Sequence, residues 1–216
     1  MFMKAHTLET QSAVTPAQAL AFLKEGNERF VQNLRAQRDL LQQKDDLRYG
    51  QFPFAAVVSC MDSRTSAELV FDQGLGDIFS IRIAGNIINP DIVGSLEYAG
   101  AAVGVKLLVV MGHSKCGAVK GACDHVELGN LTGLLDKIQP AVNAETETGD
   151  EESRNSKNAI FVENVAKLNV KQGIQTILET SPTLRGLIES GKLGIVGGKH
   201  DLDSGVVEFY EDTLVA

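Results

Sequence analysis

Four short apolar runs punctuate the chain, at Phe54–Ser59, Ile78–Ile83, Lys106–Met111 and Leu193–Val196. They are rich in β-branched residues and lack the strict alternation of a half-exposed strand, which predicts strands buried on both faces. Between them, apolar positions recur at helical spacing: Ser66–Phe71, Asp91–Val103 behind the start signal Asn89-Pro90, and a long stretch near Asn155–Leu178 with Phe161, Val165 and Leu168 on one face. Strand alternating with helix predicts a parallel α/β sheet. Ahead of the first strand, Thr15-Pro16-Ala17-Gln18 combines an N-cap, a proline at the first helical position and a capping-box glutamine. Leu20, Leu23, Phe30 and Leu34 follow at helical spacing, predicting an amphipathic arm. Gln37–Gln51 is mostly polar and reads as a solvated helix end or loop. Val206–Tyr210, after the turn signal Asp203-Ser204-Gly205, predicts an edge strand. Ala144–Lys157, acidic and rich in small residues, is expected to be a mobile surface loop. The fold class expected is a single α/β domain with a mainly parallel central sheet flanked by helices, an N-terminal helical arm over residues 1–50, a core over residues 51–216 and a C-terminal edge strand.

Composition narrows what such a domain can do. At 216 residues and 44% hydrophobic content, one sizeable core is the expectation. A net charge of −8 and a pI near 5 would repel phosphate backbones and anionic lipid, so nucleic acid and membrane are not expected as partners. Met1–Thr15 lacks the apolar run of a signal peptide, and no window reaches the length of a membrane span. Three cysteines cannot all pair within one chain. A cytoplasmic protein with reduced thiols or metal ligands is therefore expected.

Candidate chemistry lies at two strand ends, where open parallel sheets bind their ligands. Cys60-Met-Asp62-Ser-Arg64 follows the first predicted strand, and Gly112-His113-Ser-Lys-Cys116-Gly117 follows the third. Two thiolates and one imidazole form a donor set suited to zinc, and three protein ligands leave a fourth position for water or substrate. Cys116 falls near the start of a predicted helix at Lys115–Ala122, where free N–H groups favour a thiolate. Asp62 and Arg64 are close enough in sequence for their side chains to meet. Such a carboxylate either binds the metal as a fourth ligand or is held off it by the guanidinium.

The segments SCMDSR (59–64) and GHSKCGAVKGA (112–122) resemble the two signature segments of the β-class carbonic anhydrases. Ser80-Ile-Arg82-Ile-Ala-Gly-Asn86 and Ser95-Leu-Glu97-Tyr98 resemble two further family segments, and the similarity extends over about residues 15–210. The resemblance implies one zinc per chain on Cys60, His113 and Cys116, with Asp62 and Arg64 as a gating dyad. It implies reversible hydration of carbon dioxide to bicarbonate and a proton by a metal-bound hydroxide. Gln51, Phe79 and Tyr98 fall where the open-site, plant-like branch has its substrate pocket, and the Gly117 N–H would complete the contacts to the anion. The other branch carries a Trp three positions before the first Cys, where this chain has Val57. Ile83 and Ala84 depart from the Asn and Val usual in their segment. The family pattern also implies a homodimer or homotetramer in which the arm packs on a neighbouring subunit.

Other readings of the same residues differ in kind. Related proteins hydrolyse carbon disulfide or carbonyl sulfide on the same type of site. A non-catalytic zinc protein would use Asp62 as a permanent fourth ligand, and Cys60 with Cys116 could form a redox thiol pair.

Overall fold

The computed structural model describes residues 3–215. The elements run α1 (Leu8–Ala13), α2 (Pro16–Val31), α3 (Leu40–Asp46), β1 (Ala55–Ser59), α4 (Ala67–Val70), β2 (Ile78–Arg82), α5 (Pro90–Glu97), β3 (Leu107–His113), α6 (Gly117–Cys123), α7 (Gly129–Leu135), α8 (Gln139–Ala144), α9 (Ala159–Thr180), α10 (Pro182–Glu189), β4 (Gly194–His200) and β5 (Val207–Val215). The five strands form one sheet in the order β2-β1-β3-β4-β5. β2, β1, β3 and β4 are parallel, and β5 returns antiparallel on the edge.

The continuous apolar runs have a simple cause. In β1, Ala55 and Val57 enter the core beneath α2 and α4, whereas Ala56 and Val58 enter the core beneath α5, α9 and α10. β3 divides in the same way, with Leu107, Val109 and Met111 on the first face and Leu108 and Val110 on the second. With both faces covered, alternation disappears and every position must be apolar. Each such Val or Leu contributes roughly 1.5–3 kcal/mol through burial.

α9 packs on the sheet where two strand positions lack side chains. A Cβ at Gly197 would come within 2.7 Å of Val170, and one at Gly112 within 3.0 Å of the same side chain. The arm is fastened to its own core. Asn27 donates to the carbonyls of Val70 and Gly205 and accepts from the Val207 amide. Asp72 accepts from Arg29, Arg38 and the Ala36 amide.

Some segments differ from the sequence expectation. The polar stretch 37–51 contains α3, whose N-cap Asp39 accepts from the Gln42 amide. α1 precedes the helix that the sequence predicts from Pro16. It has its own capping box at Thr7 and Thr10, and Gln11 is buried against the Pro53 carbonyl. α5 continues as a wide turn over Tyr98–Val103, ended by left-handed Gly104. The acidic segment 144–157 is tied down rather than loose. Glu145 is buried and accepts from Thr148, Asn164 and Arg154, and the Arg154 guanidinium also reaches the carbonyls of Val142 and Thr148. Composition registers its charges but not this internal pairing.

Candidate metal centre

β1 and β3 are neighbours that run in the same direction, so the segments that leave their C-terminal ends emerge side by side. Cys60, His113 and Cys116 are all buried there, and their ligand atoms lie within 4.8 Å of one another. The two sulfurs are 4.0 Å apart. That is about twice a disulfide bond. It is close to the roughly 3.8 Å that two zinc–sulfur bonds of about 2.3 Å span at a tetrahedral angle.

The imidazole is set up as a ligand by its own loop. His113 Nδ1 lies 2.9 Å from the Ser114 carbonyl oxygen. A carbonyl only accepts, so Nδ1 carries the proton and Nε2 presents a bare lone pair. Nε2 is buried and has no hydrogen-bond partner among the described residues. An orphaned buried acceptor of this kind carries a desolvation cost that a cation would remove. Ser114 is itself fixed, its amide donating to the His200 carbonyl and its hydroxyl accepting from the Leu202 amide.

The two sulfurs respond in opposite directions to one shared contact. The hydrogen bond from Cys116 holds the Cys60 thiol well below its ordinary value, burial opposes this, and His113 and the backbone at Asp62 and Gly85 assist it. The same contact and burial push Cys116 up. A divalent cation in place of the shared proton would leave both as thiolates. The donors present thus fit a zinc ion.

Asp62 stands beside this set with one oxygen 3.9 Å from His113 Nε2. Arg64 holds it in a two-pronged grip, Nε to Oδ1 at 2.8 Å and Nη2 to Oδ2 at 2.7 Å, while the Arg64 amide also donates to Oδ1. These hydrogen bonds keep its carboxyl well below the usual carboxylate range. Arg82 braces the turn from β2, donating to the carbonyls of Cys60 and Asp62. Gly117 opens α6 directly after Cys116, and the space where its Cβ would stand is empty.

The remaining candidates lie elsewhere. Gln51 is exposed ahead of β1, at the opposite end of the strand from Cys60. Phe79 pairs with Ala56, four residues short of Cys60, which is about 13 Å along a strand. Phe79 and Tyr98 do meet each other, with ring centroids 6.2 Å apart. They line an open groove of about 590 Å³ with Ser80, Ile81, Pro90 and Gly94 along the free edge of β2. Within one chain the candidate metal donors and this groove are separate. The bracing roles of Arg82 and Ser114 are not legible in the sequence, because a side chain that bonds a backbone group of another segment leaves no periodic signal. His200, the register partner of His113, is also buried with neither ring nitrogen bonded among the described residues.

A carbonic anhydrase family model matches residues 55–207. The chain is 36% identical to carbonic anhydrase 2 of Mycobacterium tuberculosis over 197 residues, covering 88% of this chain and 90% of that protein. It is 33% identical to a carbonic anhydrase of Mycolicibacterium smegmatis, covering 89% and 92%. Among solved structures, a tetrameric β-carbonic anhydrase of Sordaria macrospora is 30% identical with a TM-score of 0.67, over 80% of this chain and 87% of that one. The β-carbonic anhydrase CafA of Aspergillus fumigatus is 26% identical with a TM-score of 0.67, over 90% of each chain. Agreement of motif, fold and relatives along nearly their whole length leads to one conclusion: this chain belongs to the β-class carbonic anhydrases.

Proposed function

We propose that this enzyme catalyses the reversible hydration of carbon dioxide to bicarbonate and a proton, with one zinc ion per chain held by Cys60, His113 and Cys116. The observation that carries the reading is a buried sulfur–sulfur–nitrogen donor set whose neighbouring carboxylate is turned away to Arg64. Bound there, zinc supplies a Lewis acid that brings the pKa of water down to about 7.

The chain's own residues do the rest. Asp62 is a carboxylate across the neutral range, so it accepts a hydrogen bond from the attacking water and orients it. Arg64 occupies both Asp62 oxygens and keeps the carboxylate off the fourth position. The Gly117 N–H, beside the donor set, is a donor for an oxygen gaining negative charge. Phe79 and Tyr98 give an apolar surface for an uncharged substrate, with Gln51 as a further donor. Since these three lie apart from the donors of their own chain, a second copy supplies them in a homodimer or homotetramer. The tetrameric β-carbonic anhydrases of Sordaria macrospora support assembly of this kind. Among the described residues no helix is long and apolar enough to cross a membrane. The three free, buried cysteines favour a reducing, cytoplasmic setting.

Stopped-flow hydration of carbon dioxide, with zinc content measured on the same preparation, tests the reading. Fast turnover with about one zinc per chain is expected. Full zinc without turnover, or turnover only with carbon disulfide or carbonyl sulfide, would overturn it.

A further inference from the structure

Between His113 and Cys116 the backbone passes through a left-handed residue, Lys115, at φ +58°. The other described non-glycine residues at positive φ are Asn33, Asp72, Asn86 and His125, types enriched in that region. Lys115 is the exception. A left-handed backbone is sterically unfavourable for such a residue, so the surrounding structure must enforce it.

One contact acts on the strained backbone itself. The Lys115 amide donates to Glu163 Oε1 at 3.3 Å, the long end of a hydrogen bond but one made to a charged acceptor. The other oxygen of Glu163 accepts from Lys199 Nζ at 2.8 Å, so the carboxylate spans from the ligand loop to β4. Glu163 reaches this position because of how α9 sits. Glu163, Ala166, Val170 and Ile174 follow one another at helical spacing, and Val170 and Ala166 press on the place where Gly112 has no side chain. The close approach that glycine permits sets the first turns of α9 over the loop between two metal donors. The Lys115 ammonium pairs with Asp203, which tethers the side chain and not the amide.

We propose that Glu163 is a positioning residue for the metal centre. By accepting the Lys115 amide it holds the His113–Cys116 loop in the left-handed turn that brings the Cys116 sulfur to Cys60 and His113. It touches neither metal nor substrate. The proposal rests on the zinc reading above, and the experiment separates the two.

Zinc release to an excess of a chromophoric chelator is followed at neutral pH for the purified holoenzyme and its variants, with far-UV circular dichroism reporting the fold. E163A is expected to release zinc about tenfold faster. E163Q, which keeps an acceptor for the amide, should stay close to wild type. K199A, which breaks the ion pair but spares the amide contact, should change release by no more than about twofold. K115G adopts the left-handed turn without strain, so E163A combined with K115G should recover most of the loss. Release from E163A at the wild-type rate would overturn the proposal. So would equal acceleration by K199A, or no recovery in the double variant. A wild-type protein that holds no zinc would bring down the metal reading, and this one with it.

Discussion

The two ends of β1 face opposite situations. At its C-terminal end the chain completes a site from its own atoms: Cys60, His113 and Cys116 are buried, Asp62 is gripped by Arg64, and Arg82 and Ser114 brace the turns. Beside its N-terminal half lies the unfinished region. β2 has a free edge, Tyr98 is 55% exposed over an open groove, and Gln51 projects to solvent. The arm adds further uncovered apolar side chains, with Leu41 at 73% and Tyr49 at 94% exposure. The proposed metal site therefore needs only the single chain, whereas the proposed substrate handling is expected to need the assembly.

The largest effect that tests this division comes from the donors. Cys60→Ala, His113→Ala or Cys116→Ala should each remove both zinc and turnover, because two ligands leave too weak a site. The check is metal content by atomic absorption beside stopped-flow hydration. The division predicts that each variant keeps the oligomeric state of the wild type, since none of these side chains reaches the β2 edge. Zinc retained by all three would dissolve the comparison.

That end of the molecule was also the more legible one. Strands covered on both faces must be continuously apolar, so β1 and β3 could be read directly, and the donors follow at their ends. Parallel neighbours then carry Cys60 and His113 to one place although they are far apart in sequence. The groove could not be located by this route. Phe79 and Tyr98 sit on elements whose apolar residues look like core, and only the strand order shows that β2 is an edge. Short helices such as α7 and α8 escaped for a different reason. They hold Gly129, Gly133 and Pro140 and depend on tertiary contacts more than on propensity. The Glu145–Arg154 latch is likewise a pairing that composition cannot register.

Arg64→Ala sharpens the division from the metal side. It frees Asp62 to occupy the fourth position, so turnover should fall ten- to a hundredfold while zinc content stays near one per chain. Wild-type turnover across the neutral to alkaline range would make the dyad a bystander ion pair.

Phe79→Asp attacks the other region. A carboxylate placed in the groove should raise the dissociation constant of the assembly by about thirtyfold or more if this edge is the contact. Light scattering at micromolar protein would show lower mass, turnover would fall with dilution, and zinc would remain. An oligomer that resists the change would put the groove outside the interface and leave substrate handling to the single chain.

The smallest effect on turnover is expected from Asp72→Asn, which asks whether the arm belongs to its own chain. Asp72 and Arg38 are both buried, with side-chain exposures of 8% and 7%, and Arg29 closes the cluster. Burial alone would push the Asp72 carboxyl up, but the hydrogen bonds from Arg29, the Ala36 amide and Arg38 outweigh it and leave the carboxyl below its ordinary value. A carboxylate depressed in the folded state binds its proton more readily when unfolded. Its contribution is therefore fully present above the unfolded value near 3.8 and is lost as pH falls through the lower folded value. Urea unfolding of the wild type should accordingly show stability declining below about pH 4. Asp72→Asn should lose part of that slope and be destabilised at neutral pH by about 3 kcal/mol, because Arg38 is left buried without its partner. Turnover and zinc content above pH 7 should be unchanged, since the cluster fastens the arm and touches neither the donors nor the β2 groove. A variant that also dissociates would show that the arm's attachment to its own core is what presents it to a neighbouring copy.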